Sequence, residues 1–264
     1  MSRHQKGKGA ISPKGTISIL PSVITTASLF SGFFAIVAAI NGQFFNAAVA
    51  IVISGIFDGL DGRVARLTGT TSKFGMEYDS LCDLVAFGVA PAVLAYQWVL
   101  HPYGRYGWLA AFLYVATTAL RLARFNTQDT SSSKNEFTGL PCPAAGGMIA
   151  TSVMFCGFFD ITGTLRNFIM LGTVYGLSYL MVSSVKYHSF KHAKTEQPRK
   201  FQILVGLVLF IMLLATEPRV TLFVLGAAYV LSGPLTAGYR LLTSGRTSAA
   251  SEHREDPAES SFKS

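Results

Sequence analysis

Residues 58–83 read DGLDGRVARLTGTTSKFGMEYDSLCD and carry five carboxylates, at Asp58, Asp61, Glu77, Asp79 and Asp83. Apolar segments of membrane length overlap this stretch at both ends, over 43–66 and 76–99. Carboxylates are costly in hydrocarbon, so acids placed where two such segments meet mark a site rather than a surface. The spacing says how the site is built. Asp58 and Asp61 are three apart and Asp79 and Asp83 four apart, so on helices each pair shares a face. The linker, about residues 67–75, is short and polar, which makes the two helices antiparallel neighbours with converging acidic faces.

The rest of the chain agrees with a membrane setting. Half of the 264 residues are hydrophobic and 14% are charged, where soluble domains carry about 25% charged residues. Eight apolar segments follow one another, at 19–40, 43–66, 76–99, 107–126, 142–160, 165–186, 201–216 and 219–241. Most approach the roughly 20 residues that cross a bilayer. The expected fold is therefore all-α, a polytopic transmembrane helical bundle of about eight spans. The basic N-terminal segment precedes an apolar run of full membrane length without a small-residue cleavage site, and is read as retained.

The formal net charge is +8. Its basic residues form no single stripe, which argues against nucleic acid as partner. They follow the positive-inside rule instead. With a cytoplasmic N-terminus, 19 of the 22 Lys and Arg fall in cytoplasmic segments, and Arg105, Arg166 and Arg219 fall outside. Both termini and the acidic stretch are then expected on the cytoplasmic side. Cys82, Cys142 and Cys156 are scattered and include no CxxC pair, so they suggest packing rather than a disulfide framework or a zinc site.

Four carboxylates converging on one site repel one another unless counter-charge is supplied. Oxygen donors favour Mg²⁺, Mn²⁺ or Ca²⁺, and two such ions neutralise four acids. The neighbours suit a phosphate-bearing substrate. Gly62 and Gly75 lie one turn from Asp58 and Asp79 and leave room for a ligand. Arg66 lies one turn beyond Gly62, and Ser72 and Lys73 precede the third helix, all within reach of phosphates. Phosphoryl transfer between two metals fits this set. A divalent-cation transporter also needs buried acids, but not the adjacent Gly and Arg.

The positions Asp58, Asp61, Gly62, Ala65, Arg66, Gly75, Asp79 and Asp83 match, at the right spacing, the eight fixed positions of the CDP-alcohol phosphatidyltransferases, which the chain resembles. The resemblance implies a membrane enzyme that uses CDP-diacylglycerol or a similar CDP-alcohol and releases CMP. It implies metal binding by Asp58, Asp61, Asp79 and Asp83, with two divalent cations, Mg²⁺ or Mn²⁺, as cofactors. Asp83 is also the implied proton acceptor. Gly62, Arg66 and Ser72 are implied contacts of the nucleotide or its diphosphate, joined by Lys73 and, in the first span, Thr25.

Further patches, ILPSVITTASLFSGFFAI at 19–36, YDSLCDLVAFGVAP at 78–91, RLARFN at 121–126 and FTGLPCPAAGG at 137–147, resemble the membrane-embedded bacterial phosphatidylserine synthases within that family. That implies L-serine as acceptor, with glycerol 3-phosphate or inositol phosphate as the alternatives within the family. It also implies a homodimer in a bacterial-type inner membrane, its site facing the cytoplasm. Arg121, Arg124 and Asn126 are the candidates for holding the serine carboxylate, since a guanidinium binds carboxylate through two parallel hydrogen bonds. On this plan 1–18 is a basic cytoplasmic segment, 19–190 the family core of six spans, 191–242 two further spans, and 243–264 a polar, loose tail. His188 and His192 are four apart, but in KYHSFKHAK they read as part of a basic loop facing the lipid surface.

Overall fold

The computed structural model describes residues 19–69, 72–127, 139–183, 185, 205–206, 208 and 212–252. Regular structure among them is entirely helical. Helix α1 spans Ile19–Ile40, α2 Phe44–Thr68, α3 Lys73–Tyr103, α4 Arg105–Thr127, α5 Cys142–Phe158, α6 Thr164–Val182 and α7 Pro218–Glu252. Successive helices from α1 to α6 alternate in direction, and α7 runs the same way as α6. Asn126 near the end of α4 bonds to Ser80 near the start of α3, and Arg121 of α4 reaches the Met181 carbonyl near the end of α6. At the other end, Arg166 near the start of α6 lies over Trp98 of α3, and Arg219 at the start of α7 lies over Phe45 of α2.

Small residues set how closely the first helices approach. Ala35, Ala38 and Ala39 of α1 are buried in one cluster with Ala47, Ala48 and Ala50 of α2. Such surfaces let helix backbones come together where no hydrophobic force drives them. Hydroxyls add to this contact: Ser28 and Ser54 bond to each other at 2.7 Å, and Ser31 donates to the Ala50 carbonyl at 2.8 Å. Gly32 of α1 lies so near α3 that a Cβ there would come within 2.7 Å of the Ala86 Cα. In contrast, Phe30, Phe33 and Phe34 of α1 and Phe112 of α4 point outward, Phe30 being 72% exposed, as suits a surface facing lipid.

Helix α3 is compound. An α-helical segment, Lys73–Asp83, gives way to a π turn at Leu84–Val89, then α-helix at Ala90–Ala95, a second π turn at Tyr96–Leu100 and a 3₁₀ turn at His101–Tyr103. A π turn widens the helix and re-aims the residues beyond it. The first one begins immediately after Asp83, so it separates the acidic face of α3 from the apolar face that packs in the core. Tyr114 of α4, fully buried, donates to the Phe87 carbonyl within that turn at 3.0 Å.

Among the described residues five helices are long and apolar enough to cross a membrane: Pro21–Ile40, Phe44–Thr68, Lys73–Tyr103, Thr164–Val182 and Pro218–Thr236. The third is longer than the 76–99 expected. The segments expected at 107–126 and 142–160 are helical too, but α4 carries Arg105, Arg121 and Arg124, and α5 has 17 residues. Half of the segment at 201–216 falls outside the described residues, and so do His188, His192 and residues 1–18. Helix α7 runs to Glu252. A helix already nucleated extends at low cost per residue, and Ala249 and Ala250 favour it.

Tyr114→Phe keeps the ring but removes the donor from a buried carbonyl, a loss of about 1–3 kcal/mol. Thermal unfolding of the purified protein in detergent should show a lowered Tm. A Tm equal to that of the parent chain would mean the bond contributes nothing.

Candidate functional site

The last turns of α2 and the first turns of α3 bring the acids together. Asp58, Asp61 and Asp79 each offer a carboxylate oxygen within 4.8 Å of the others. Asp83 adjoins them, within electrostatic reach of all three. Asp61 is buried, and its Oδ2 accepts from Thr25 Oγ1 of α1 at 2.8 Å. Asp79 Oδ1 is buried with no hydrogen-bond partner. Leaving such an oxygen unmatched is expensive, and a cation beside it removes the cost.

These residues fit a divalent metal. Hard cations hold oxygens at about 2.0–2.6 Å, so oxygens on opposite sides of one ion lie about 4–5 Å apart. The spread of the three acids lies in that range, and the donor set is all carboxylate. The unmatched Asp79 oxygen is where a ligand is most needed.

The residues expected at the nucleotide line the rim of this cluster or support it. Gly62 is exposed, and a Cβ added to it meets nothing within 4 Å, so the space beside the acids is open. Arg66 is exposed and folds back on its own helix, its Nε donating to the Gly62 carbonyl at 2.7 Å. Ser72 caps α3, its Oγ accepting from the Gly75 amide at 3.0 Å, and Lys73 comes next, exposed. Thr25 sits beneath the acids: its hydroxyl lies between Asp61 and the Pro21 carbonyl at 3.0 Å.

The residues expected at the acceptor divide. Arg121 is half-buried where four helices meet. Its guanidinium reaches the Met181 carbonyl of α6 at 3.4 Å and lies within electrostatic reach of Cys142 of α5 and Tyr229 of α7. A Cβ on Gly139, whose φ is +84°, would come within 2.8 Å of Arg121 Nη1, so glycine there keeps room for the guanidinium. Arg124 is exposed. Asn126 is engaged with α3: its amide donates to Glu77 at 3.1 Å and exchanges hydrogen bonds with Ser80 at 3.1–3.2 Å. Cys142, read from sequence as packing, lies within electrostatic reach of both Arg121 and Asp83. No spacing rule marks it, because the contact joins α4 to α5 across an intervening segment.

A helical bundle with an acidic cluster fit for a divalent metal at the end of two spans defines a membrane-embedded metal-dependent class. The CDP-alcohol phosphatidyltransferase family matches over residues 18–176, and the chain belongs to that family. It is similar to a CDP-diacylglycerol–serine O-phosphatidyltransferase of Helicobacter pylori, 38% identical over 221 residues, covering 84% of this chain and 92% of the relative. A protein of the same name from Mycobacterium tuberculosis is 34% identical over 224 residues, covering 81% and 76%. An archaetidylserine synthase of Methanothermobacter thermautotrophicus is 38% identical over 170 residues, covering 64% and 69%.

Thr25→Val removes the hydroxyl that holds Asp61 while keeping the shape of the side chain. Loss of such a supporting bond typically lowers metal affinity about 10–100-fold. The Mg²⁺ concentration for half-maximal activity should rise by that order, with little change in rate at saturating metal. An unchanged Mg²⁺ dependence would show that Thr25 does not position the ligand.

Proposed function

We propose that the protein transfers a phosphatidyl group from CDP-diacylglycerol to L-serine, giving phosphatidylserine and CMP. The observation that carries the choice of serine is the similarity, over most of the chain, to relatives that bear that activity in their names. The acidic cluster supports the chemistry.

Asp58, Asp61 and Asp79 would hold divalent cations, Mg²⁺ or Mn²⁺, two of them if all four acids are neutralised. The metal would supply charge stabilisation for the diphosphate and for the attacking oxygen. Asp83 accepts the proton of the serine hydroxyl, which is a poor nucleophile until that proton leaves. The serine oxygen forms a bond to the phosphorus that bears diacylglycerol, and the bond from that phosphorus to the CMP oxygen breaks. CMP departs as an anion. Arg66 and Lys73, at the exposed rim, offset its charge after swinging from their present positions. Gly62 leaves space for the diphosphate, while Ser72 and Thr25 act as its flanking hydroxyls. Arg121, assisted by Arg124 and Asn126, orients serine by its carboxylate. The proximity of Arg121 to Asp83 through Cys142 supports this assignment.

The same reading places the chain in a bacterial-type inner membrane with both termini and the site on the cytoplasmic side, where CDP-diacylglycerol keeps its acyl chains in lipid and serine enters from water. The distribution of Lys and Arg supports that orientation, and with it an even count of about eight spans. Residues 19–190 form the catalytic core in this plan, 191–242 add two spans, and the active unit is a homodimer.

The deciding experiment is CMP release from CDP-diacylglycerol by the purified protein, with each acceptor in turn. Serine should support release in the presence of Mg²⁺ or Mn²⁺, and excess chelator should stop it. Release with glycerol 3-phosphate or inositol phosphate in place of serine would reassign the acceptor. Metal uptake into vesicles without CMP release from any acceptor would make the protein a transporter.

Arg121→Lys keeps the charge but loses the two-pronged fork. A lost charge-assisted contact is worth about 1.5–3 kcal/mol, so the KM for serine should rise on the order of tenfold or more, with the KM for CDP-diacylglycerol little changed. A serine titration at saturating lipid, run beside Arg124→Lys, checks this. A large change in Arg124→Lys alone would move the role to Arg124.

A further inference from the structure

The end of the bundle opposite the acids holds a second polar feature. The turn from α1 to α2 and the start of α7 border an open cavity of about 490 Å³, lined in part by Gln43, Phe45, Asn46, Trp98 and Arg219. Its size is that of a small-molecule site. Phe44 begins α2 and Asp58 lies fourteen residues along it, so the cavity is roughly 20 Å from the acidic cluster at 1.5 Å per residue. That separation places it near the headgroup level of the other leaflet.

Arginine is scarce at this end, where the helix starts carry Arg105, Arg166 and Arg219. Arg219 lines the cavity, and Arg166 stacks on Trp98 of its wall. The Arg219 guanidinium lies 4.6 Å from the Phe45 ring centre and 5.8 Å from that of Phe158, and Arg166 lies 4.9 Å over Trp98. Stacking uses the face of a guanidinium and leaves its rim of N–H donors free. Among the described residues Arg219 makes no hydrogen bond or ion pair, and the nearby acids Asp160 and Glu217 pair with neither arginine. Asn46 Nδ2 donates to Gln43 Oε1 at 3.2 Å, which leaves the Gln43 amide N–H groups and the Asn46 oxygen for a ligand. The lining thus presents one unpaired cation, two amides and two aromatic walls.

We propose that this cavity binds the phosphodiester headgroup of an anionic phospholipid from the leaflet opposite the acidic cluster. Arg219 grips the phosphate, Gln43 and Asn46 hydrogen-bond the glycerol and headgroup oxygens, and Phe45 and Trp98 flank the first carbons of the lipid. This site is distinct from the acidic one and does not depend on which acceptor that site uses.

The test uses delipidated full-length protein in neutral detergent, with lipid binding followed by native mass spectrometry. The probes are phosphatidylglycerol, phosphatidylcholine and inorganic phosphate. Phosphatidylglycerol should bind at least about tenfold more tightly than phosphatidylcholine, a difference of about 1.4 kcal/mol. Arg219→Gln should abolish that preference and Arg219→Lys should keep part of it. CMP release should be unchanged in both, which also shows that they fold. Should Arg219→Gln not fold, Asn46→Leu serves in its place and should weaken phosphatidylglycerol binding. A preference that survives Arg219→Gln, or Asn46→Leu where that variant stands in, overturns the proposal. Full displacement of phosphatidylglycerol by millimolar inorganic phosphate also overturns it, by making this a site for free anions.

Discussion

Mutual repulsion among Asp58, Asp61, Asp79 and Asp83 is the constraint on which the rest of the structure depends. Three of these carboxylates have oxygens within 4.8 Å of one another, and the fourth, Asp83, is within electrostatic reach of them. In an apolar bundle that arrangement is unfavourable without compensating positive charge. Hydrogen bonds supply a part of the balance, through Thr25 on Asp61, but the buried Asp79 oxygen has none. The cluster is therefore a preorganised ligand set whose instability is relieved by the ion that it holds.

The helix packing stems from the need to bring those acids together. Alanines on α1 and α2 and the missing side chain of Gly32 let three helices approach closely below the site. The Ser28–Ser54 pair and the Ser31 bond to Ala50 along the α1–α2 contact fix its register. The π turn after Asp83 allows the start of α3 to point its acids at α2 while the rest packs its apolar face against Tyr114 and the core. Asn126 ties α4 to the same segment through Glu77 and Ser80.

Much of this was legible in the sequence, and the reasons are physical. The i,i+3 and i,i+4 spacings of the acids reflect helix geometry directly, and the limits of α1 were readable from an unbroken apolar run. Other features lay beyond a one-dimensional reading. A π turn has no residue signature of its own, so the extra length of α3 could not be foreseen. The partners of Asn126 and Cys142 depend on which helices are neighbours. Thr25 was placed near the nucleotide through family resemblance, whereas its hydrogen bond to Asp61 needed the α1–α2 packing to be seen.

The central claim is that these four acids form a divalent-cation site. Its most direct test is equilibrium binding of Mn²⁺ to the purified protein, read by electron paramagnetic resonance, with Asp79→Ala and Asp61→Ala alongside. The account predicts saturable Mn²⁺ binding that Mg²⁺ displaces and that either substitution lowers by at least an order of magnitude, because each removes one of few charged ligands. Mn²⁺ binding of equal strength in the parent chain and both variants, or its absence from a parent chain active in excess chelator, would contradict it.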